Sequence, residues 1–390
     1  MVEMKQYMRK SLNDVPKLKI FEFSNYASQF DDVIKFTIGE PDFNTPEYIK
    51  DAAIQSIKSN RTHYAPQRGT TGLLQAVSDF LAKNYDLHYN PKTEILITNG
   101  VTEAVYSAIT AITNPGDVIL VPTPTFSIYS PDAVIAGGTA IEVDTSKTNF
   151  KLTPELLQSY LDQYGERVKG IVFVNPSNPT GIAYTQDELN SLANLIKGKP
   201  IFAISDEIYS ELIYDGGYAS MARALPEQTI LTNGLSKSYA MTGWRIGYLC
   251  APEAITNEIF KVHSFVMTDV ATFSQDAAEA ALRGGTGATK EMDKKYVERR
   301  DYMKKRLVAM GFDCSRPMGA FYIFAKIPEN LDQDDTKIVY DLVKNARVAV
   351  TAGSYFGKGG HGYLRFSYAT SMDQIKEGMD RLEKYITSLK

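Results

Sequence analysis

Cysteine is scarce. The 390 residues hold only Cys250 and Cys314. Two thiols so far apart in sequence make neither a disulfide framework nor a metal-ligand pair, which suits a reducing cytoplasm. Histidine is scarce too. His63, His88, His263 and His361 lack ligand spacing, so no metal site is expected. No charge of one sign dominates: 42 basic against 46 acidic residues give a net charge of −4 and a pI near 5.7. Such a surface has no strong field for nucleic acid or anionic lipid. Long apolar runs are missing. Ile171-Val172-Phe173-Val174 is strand-sized, against the roughly 20 residues a membrane helix needs. Met1 to Asp14 is charged throughout and lacks the apolar stretch of a signal peptide. No internal repeat or low-complexity tract is found.

What remains is ordinary globular composition, 44% hydrophobic and 23% charged, enough for one large core and a smaller second one. Residues 1–30 give a weak helical signal. Val33 to Phe43 reads as a short strand that breaks at Gly39 and Pro41. Pro46 opens a helix to about Asn60, and a second helix starts near Thr71. From Glu94 onward strands and helices alternate. The strands are Ile95–Thr98, Val118–Val121, Ala140–Val143, Gly170–Val174, Ile201–Ser205 and Ile230–Asn233. Thr153-Pro154-Glu155 and the capping box Thr185-Gln186-Asp187-Glu188 start two of the helices. This alternation predicts an α/β domain whose mostly parallel sheet is sandwiched by helices, over residues 45–285. After Ala251 the pattern changes. Helices dominate to about Met310, followed by strands at Ala320–Phe324, Val348–Val350 and Tyr363–Phe366. Ser371-Met372-Asp373-Gln374 caps a last helix. Residues 1–44 and 286–390 are therefore expected to form a smaller α+β domain, with the flexible Gly284-Gly285-Thr286-Gly287 near the boundary.

Chemistry concentrates around Lys237, in Gly234-Leu235-Ser236-Lys237-Ser238-Tyr239-Ala240-Met241-Thr242-Gly243-Trp244-Arg245-Ile246-Gly247. A lysine held at a strand end can form an imine with an aldehyde cofactor, of which pyridoxal phosphate is the main example. Ser236 and Arg245 suit that cofactor's phosphate. Asn99-Gly100-Val101-Thr102 follows a strand and opens a helix, where backbone N–H groups attract phosphate; a plain strand–helix turn is the alternative. Asp206 ends a strand and would pair with a pyridine nitrogen, with Tyr209 three residues on. A helix cap and packing are the bland readings of these two. Asn175-Pro176-Ser177-Asn178-Pro179 is a stiff turn that fixes the Asn178 amide. Phe126 offers a flat face for a ring, or ordinary core packing. Arg365, read at the end of a strand, suits either a substrate carboxylate or a structural salt bridge.

In combination, N-P-S-N-P-T-G, S-D-E-I-Y and G-L-S-K-S-Y-A-M-T-G-W-R-I-G resemble the class I/II aminotransferases, pyridoxal-phosphate enzymes of fold type I. The likeness runs from Gly39-Glu40-Pro41-Asp42-Phe43 to the Arg365 strand. Within the family the chain is similar to bacterial aromatic amino acid and N-acetyl-diaminopimelate aminotransferases. The resemblance implies that Lys237 binds the cofactor and shuttles the proton, and that Asp206 pairs with the pyridinium. It implies that Tyr209 and Asn178 hold the ring oxygen and that Phe126 stacks on the ring. Gly100, Val101, Thr102, Ser236 and Arg245 are then the phosphate ligands, and Arg365, Asn178 and the Gly39 backbone take the substrate carboxylate. It further implies a homodimer in which Tyr64 reaches the neighbour's phosphate, and a small domain that closes the site.

Transamination between small-molecule amino and 2-oxo acids is the leading expectation, with no nucleic-acid or membrane partner. An aromatic or otherwise large donor is favoured, because Thr102 is uncharged and no second arginine motif awaits a distal carboxylate. 2-Oxoglutarate is the expected acceptor. N-acetyl-diaminopimelate stays open as donor, and β-elimination on the same scaffold ranks below. A non-catalytic regulator is disfavoured, since the residues before the first core strand carry no basic helix-turn-helix.

Overall fold

The computed structural model describes residues 4–389, so the readings placed on Met1, Val2, Glu3 and Lys390 lie outside the described residues. From Met4 the weak helical signal resolves into two 3-10 turns, Met4–Tyr7 and Lys10–Asp14, and one helix, α1 (Lys19–Ala27). The strand expected over Val33–Phe43 shrinks to β1 (Ile34–Lys35). Its partner strand offers only two residues, Val348 and Ala349, so the ladder ends early and the chain runs on extended. Two helices follow: α2 (Glu47–Lys58), entered through Pro46, and α3 (Thr71–Tyr85).

The alternating region then builds one sheet. Its elements are β2 (Ile95–Thr98), α4 (Gly100–Ile112), β3 (Val118–Thr123), α5 (Tyr129–Ala136) and β4 (Thr139–Asp144). Next come α6 (Pro154–Tyr164), β5 (Val168–Val174), α7 (Gln186–Ile196), β6 (Phe202–Asp206), α8 (Met221–Ala224), β7 (Thr229–Gly234) and β8 (Gly247–Cys250). Local chemistry sets the helix starts. The Thr153 hydroxyl accepts from the Leu156 N–H with proline in the first turn, and both halves of the Thr185/Glu188 capping box form.

The seven strands lie in the order β2-β8-β7-β6-β5-β3-β4. All neighbours are parallel except at β8, which runs antiparallel to β2 and β7. Sequence periodicity did not reveal β8: four buried residues opening on a glycine show no alternation. The sheet is covered on both faces, and residues of one strand alternate between them. Ile171 and Phe173 pack with Leu189, Leu192 and Ile196 of α7, while Val172 packs with Ala104, Val105 and Ile109 of α4. Burial on both faces explains why these strands read as unbroken apolar runs.

Three helices follow the sheet: α9 (Glu253–Val266), α10 (Thr272–Gly284) and α11 (Gly287–Ala309). The tail holds β9 (Asp313–Cys314), β10 (Tyr322–Lys326), α12 (Asp335–Asp341), β11 (Val348–Ala349), β12 (Thr351–Ala352), β13 (Tyr363–Ser367) and α13 (Met372–Ser388). An antiparallel sheet runs β12-β13-β10-β9, and β11 pairs with β1. Of the run Val348–Val350, only Val348 and Ala349 form a strand; Val350 links β11 to β12 in the other sheet. Strand β10 starts two residues later than expected because Ala320, at positive φ, gives its N–H to the Leu212 carbonyl instead of a ladder. Ser371 caps α13 through the Gln374 N–H. One apolar cluster joins Phe23 and Phe36 from the N-terminal segment to Phe321, Phe366, Met379 and Leu382. Each such fully buried side chain contributes about 1.5–3 kcal/mol.

Candidate active site

Parallel strands β5, β6 and β7 end on one rim, and the loops beyond them carry the chemistry. Asp206 is the last residue of β6, in register with Val174 on β5 and Thr232 on β7. Lys237 lies just past the end of β7, in the following turn rather than on the strand. Both line a cavity of about 530 Å³ with Tyr209, Asn178, Phe126 and Arg365. Val101, Thr102, Ser236, Arg245 and Gly39 line the same cavity. Among the sequence-predicted residues, Gly100 is buried directly behind this wall and Tyr64 stands apart from it.

Burial pushes the Asp206 carboxyl up to about 6, against the pull of the Tyr129 hydroxyl, the Ile208 N–H and the Lys237 charge. Tyr129 donates to Oδ2 at 2.8 Å and Ile208 N–H to Oδ1 at 3.1 Å. Desolvation pushes the Lys237 amine down to about 8; Glu40 opposes this, and Arg245 and Arg365 add to it. Lys237 Nζ donates to the Gly39 carbonyl at 2.5 Å, tying the N-terminal segment to the rim. The Tyr209 and Tyr322 hydroxyls share a hydrogen bond of 2.8 Å, and burial raises both phenols.

Arg365 sits in the middle of β13, not at its end, with Phe324 of β10 and Thr351 of β12 as neighbours. Among the described residues no carboxylate forms the structural salt bridge with it. Its Nη1 donates to Asn178 Oδ1 (3.0 Å), and Nη2 donates to the Thr37 carbonyl (2.7 Å) and Thr351 Oγ1 (3.3 Å). The guanidinium lies 4.4 Å from the Tyr322 ring centre and 4.8 Å from that of Phe356, and its Nε has no partner. A buried cation held only by neutral acceptors is costly, and an incoming carboxylate would relieve that cost.

The far end of the cavity is a cradle. Helix α4 opens on Gly100 at φ +76°, and a Cβ there would meet Arg245 Nη2 at 2.7 Å. A Cβ on Gly247 would meet the Gly100 carbonyl carbon at 2.8 Å and the Val101 nitrogen at 2.9 Å. Both glycines therefore let backbone, helix N-terminus and guanidinium converge. Arg245 is solvent-facing and gives Nη1 to the Thr242 carbonyl (3.1 Å). A helix N-terminus, a buried serine and an arginine suit a phosphate. A buried carboxylate at the end of β6 and a desolvated amine in the turn just past β7 suit a pyridine ring and its aldehyde. The residues present fit pyridoxal 5′-phosphate.

Sequence reasoning missed several lining residues. Tyr129 follows Phe126 by one turn, a spacing that could have signalled it. Tyr322 is hidden in an apolar strand. Ile20, Phe21 and Ser24 come from α1, whose sequence carries no motif. Tyr64 is 89% exposed and lines a separate surface hollow with His63, Asp269 and Phe273.

The fold and this constellation define a pyridoxal-phosphate enzyme of fold type I. A family model for aminotransferase class I and II matches residues 31–382. A Bacillus subtilis protein named probable N-acetyl-LL-diaminopimelate aminotransferase is 43% identical, across 94% of this chain and 92% of its own. An aspartate aminotransferase from Pyrococcus abyssi is 37% identical, across 98% and 99%. The crystal structure of an aromatic aminotransferase from Pyrococcus horikoshii superposes with a TM-score of 0.88 at 37% identity, across 94% of this chain and 99% of that one. The chain belongs to the class I and II aminotransferases and is a pyridoxal-phosphate-dependent transaminase. No helix among the described residues is long and apolar enough to cross a membrane.

Proposed function

We propose that the enzyme moves an amino group from an L-amino acid with a large, preferably aromatic, side chain to a 2-oxo acid such as 2-oxoglutarate. One observation carries the donor class. Among the described residues, the cavity's cations are Lys237, Arg245 and Arg365, while Ile20, Phe21 and Ile38 give its outer wall an apolar surface. With the first two assigned to cofactor, one arginine remains, enough for a single α-carboxylate. The relative at 43% identity supports N-acetyl-LL-diaminopimelate as the second reading. A panel of phenylalanine, tyrosine, aspartate and N-acetyl-diaminopimelate at fixed 2-oxoglutarate, compared by kcat/KM, separates the two. Highest efficiency with aspartate would overturn both.

When bound, pyridoxal phosphate supplies a positively charged ring that withdraws electrons from the substrate α-carbon. The protein's part is position and proton transfer. Lys237, with its amine near 8, has a free-base fraction at neutral pH that an ordinary lysine lacks. It takes the α-proton and returns it, as base and then acid. Asp206 would keep a carboxylate at the ring nitrogen, and Tyr209 and Asn178 would hold the ring oxygen. Phe126 would offer its face to the ring. Gly100, Val101, Thr102, Ser236 and Arg245 would hold the phosphate. Arg365, Asn178 and the Gly39 backbone hold the substrate carboxylate.

The same proposal divides the chain into a large domain, 45–285, and a small one from 1–44 and 286–390. It makes the enzyme a cytoplasmic homodimer of amino acid biosynthesis, in which the exposed Tyr64 of each subunit completes the other's phosphate site.

A further inference from the structure

A buried pair beneath the phosphate cradle has no part in the roles above. His263, in the last turn of α9, is 0% exposed. Its Nδ1 lies 3.1 Å from Glu103 Oε1, and its Nε2 lies 2.9 Å from the Gln67 carbonyl oxygen. Glu103 takes donors on both oxygens: the Asn99 backbone N–H at 3.1 Å on Oε2 and the Ser107 hydroxyl at 2.7 Å on Oε1. Nδ1 faces a carboxylate oxygen that already accepts from Ser107, so the ring nitrogen is the donor in this contact. The second nitrogen faces a carbonyl, which can only accept. His263 therefore carries two N–H groups and a positive charge. Burial pulls its pKa down and Arg68 adds to this, but the Glu103 carboxylate and the Gln67 carbonyl lift it above the ordinary histidine value.

Glu103 stands in the first turn of α4, the helix whose opening residues Val101 and Thr102 face the cavity. An uncompensated carboxylate there would consume the helix's positive end and repel a phosphate dianion. The imidazolium cancels that charge. The same ring also grips the loop that presents Tyr64. This loop is braced further along its length: Asp269 accepts from the Ala65 N–H, the Thr272 hydroxyl donates to the His63 carbonyl (2.9 Å), and the Arg68 carbonyl accepts from Ile97 N–H (2.9 Å).

We propose that His263 is a positioning residue for the cofactor's phosphate: as an imidazolium it neutralises Glu103 under the α4 N-terminus and locks the Tyr64 loop to that helix. The proposal rests on the reading that α4 and Arg245 hold the phosphate.

The test uses the full-length chain stripped of cofactor, as wild type, His263→Gln, Glu103→Gln and the double variant. Each is titrated with pyridoxal 5′-phosphate and, separately, with pyridoxal, which has the aldehyde but no phosphate. His263→Gln is expected to raise the half-saturating pyridoxal 5′-phosphate concentration about tenfold and to leave that of pyridoxal within about twofold. Adding Glu103→Gln, which removes the anion, restores phosphate-dependent binding to within about threefold of wild type. Equal weakening toward both ligands, or losses that simply add in the double variant, would overturn the proposal. Should His263→Gln fail to fold, Glu103→Gln alone decides: unchanged or tighter pyridoxal 5′-phosphate binding supports it, and a tenfold loss overturns it. Borohydride reduction and peptide mapping of the wild type test the parent reading separately. An adduct away from Lys237 removes that reading and this proposal with it, whereas the titrations alone can remove only the proposal.

Discussion

The cavity has two unlike walls. One is the rim of the seven-stranded sheet and the start of α4. Its groups are polar and individually braced: Asp206 by Tyr129 and Ile208, Lys237 by Gly39. The other comes from α1 and the extended segment after β1. Ile20, Phe21 and Ile38 give it apolar surface beside Ser24, Thr37 and Glu40, and it is loosely covered, with Phe21 64% exposed. A rigid scaffold end suits chemistry, which tolerates little misplacement, whereas an irregular wall can vary its side chains without disturbing the sheet. On the proposed reading, the reaction type belongs to the rim and the choice of donor to the opposite wall.

Substitutions on the rim should lower turnover with every donor. The largest loss is expected for Lys237→Ala, about 10³-fold or more in kcat, measured in single-turnover and steady-state assays. Full turnover in this variant would break the comparison outright. Asp206→Asn removes the charge but keeps the shape, and kcat should fall about a hundredfold for aromatic and acidic donors alike. Arg365, which reaches the cavity from β13, tests whether a second element shares the rim's logic. Arg365→Ala should lower kcat/KM about a hundredfold for donor and acceptor together, and Arg365→Lys should recover little, because an ammonium cannot offer the forked pair of N–H groups.

Across the cavity, Phe21→Ala should leave alanine turnover intact and shift the phenylalanine-to-aspartate ratio of kcat/KM by about tenfold. A uniform loss for all donors would give α1 a catalytic rather than a selective part. The smallest effect concerns pH. The amine of Lys237 reacts with aldehydes as its free base, so capture by the cofactor-free protein should rise with pH around a midpoint near 8, not 10.5. Glu40 stabilises the charged amine, so Glu40→Gln should move that midpoint down. Capture still rising beyond pH 10 would mean the amine is not desolvated.

The same division explains what the sequence revealed. The sheet appeared because strands buried on both faces leave continuous apolar runs between helical periods, as in β5 and β6. The rim's lysine, aspartate and asparagine stood out because unusual residue types sit at turns of fixed geometry. The opposite wall left no such trace. Ile20 and Phe21 look like any amphipathic surface, and nothing local tells that their helix lies over a cavity. Tyr322 was concealed because a tyrosine in an apolar strand resembles packing until its hydroxyl meets Tyr209. Strand β8 was too short and too buried to show a period, and Arg365 was misplaced because strand ends are set by ladder partners far away in sequence.

The antiparallel insertion of β8 bears on how the chain is made. β2 is an edge strand whose only neighbour is β8, roughly 150 residues later in the chain. While the ribosome elongates, Ile95, Leu96 and Ile97 emerge long before their hydrogen-bonding partner exists, an interval of order ten seconds at typical elongation rates. Gly247, which backs the opening of α4, arrives in the same late stretch. A nascent chain halted before residue 247 would therefore hold most of the sheet but no finished anion cradle. With the phosphate held as proposed, competence for the cofactor would arise late in synthesis, when the returning strand slots in.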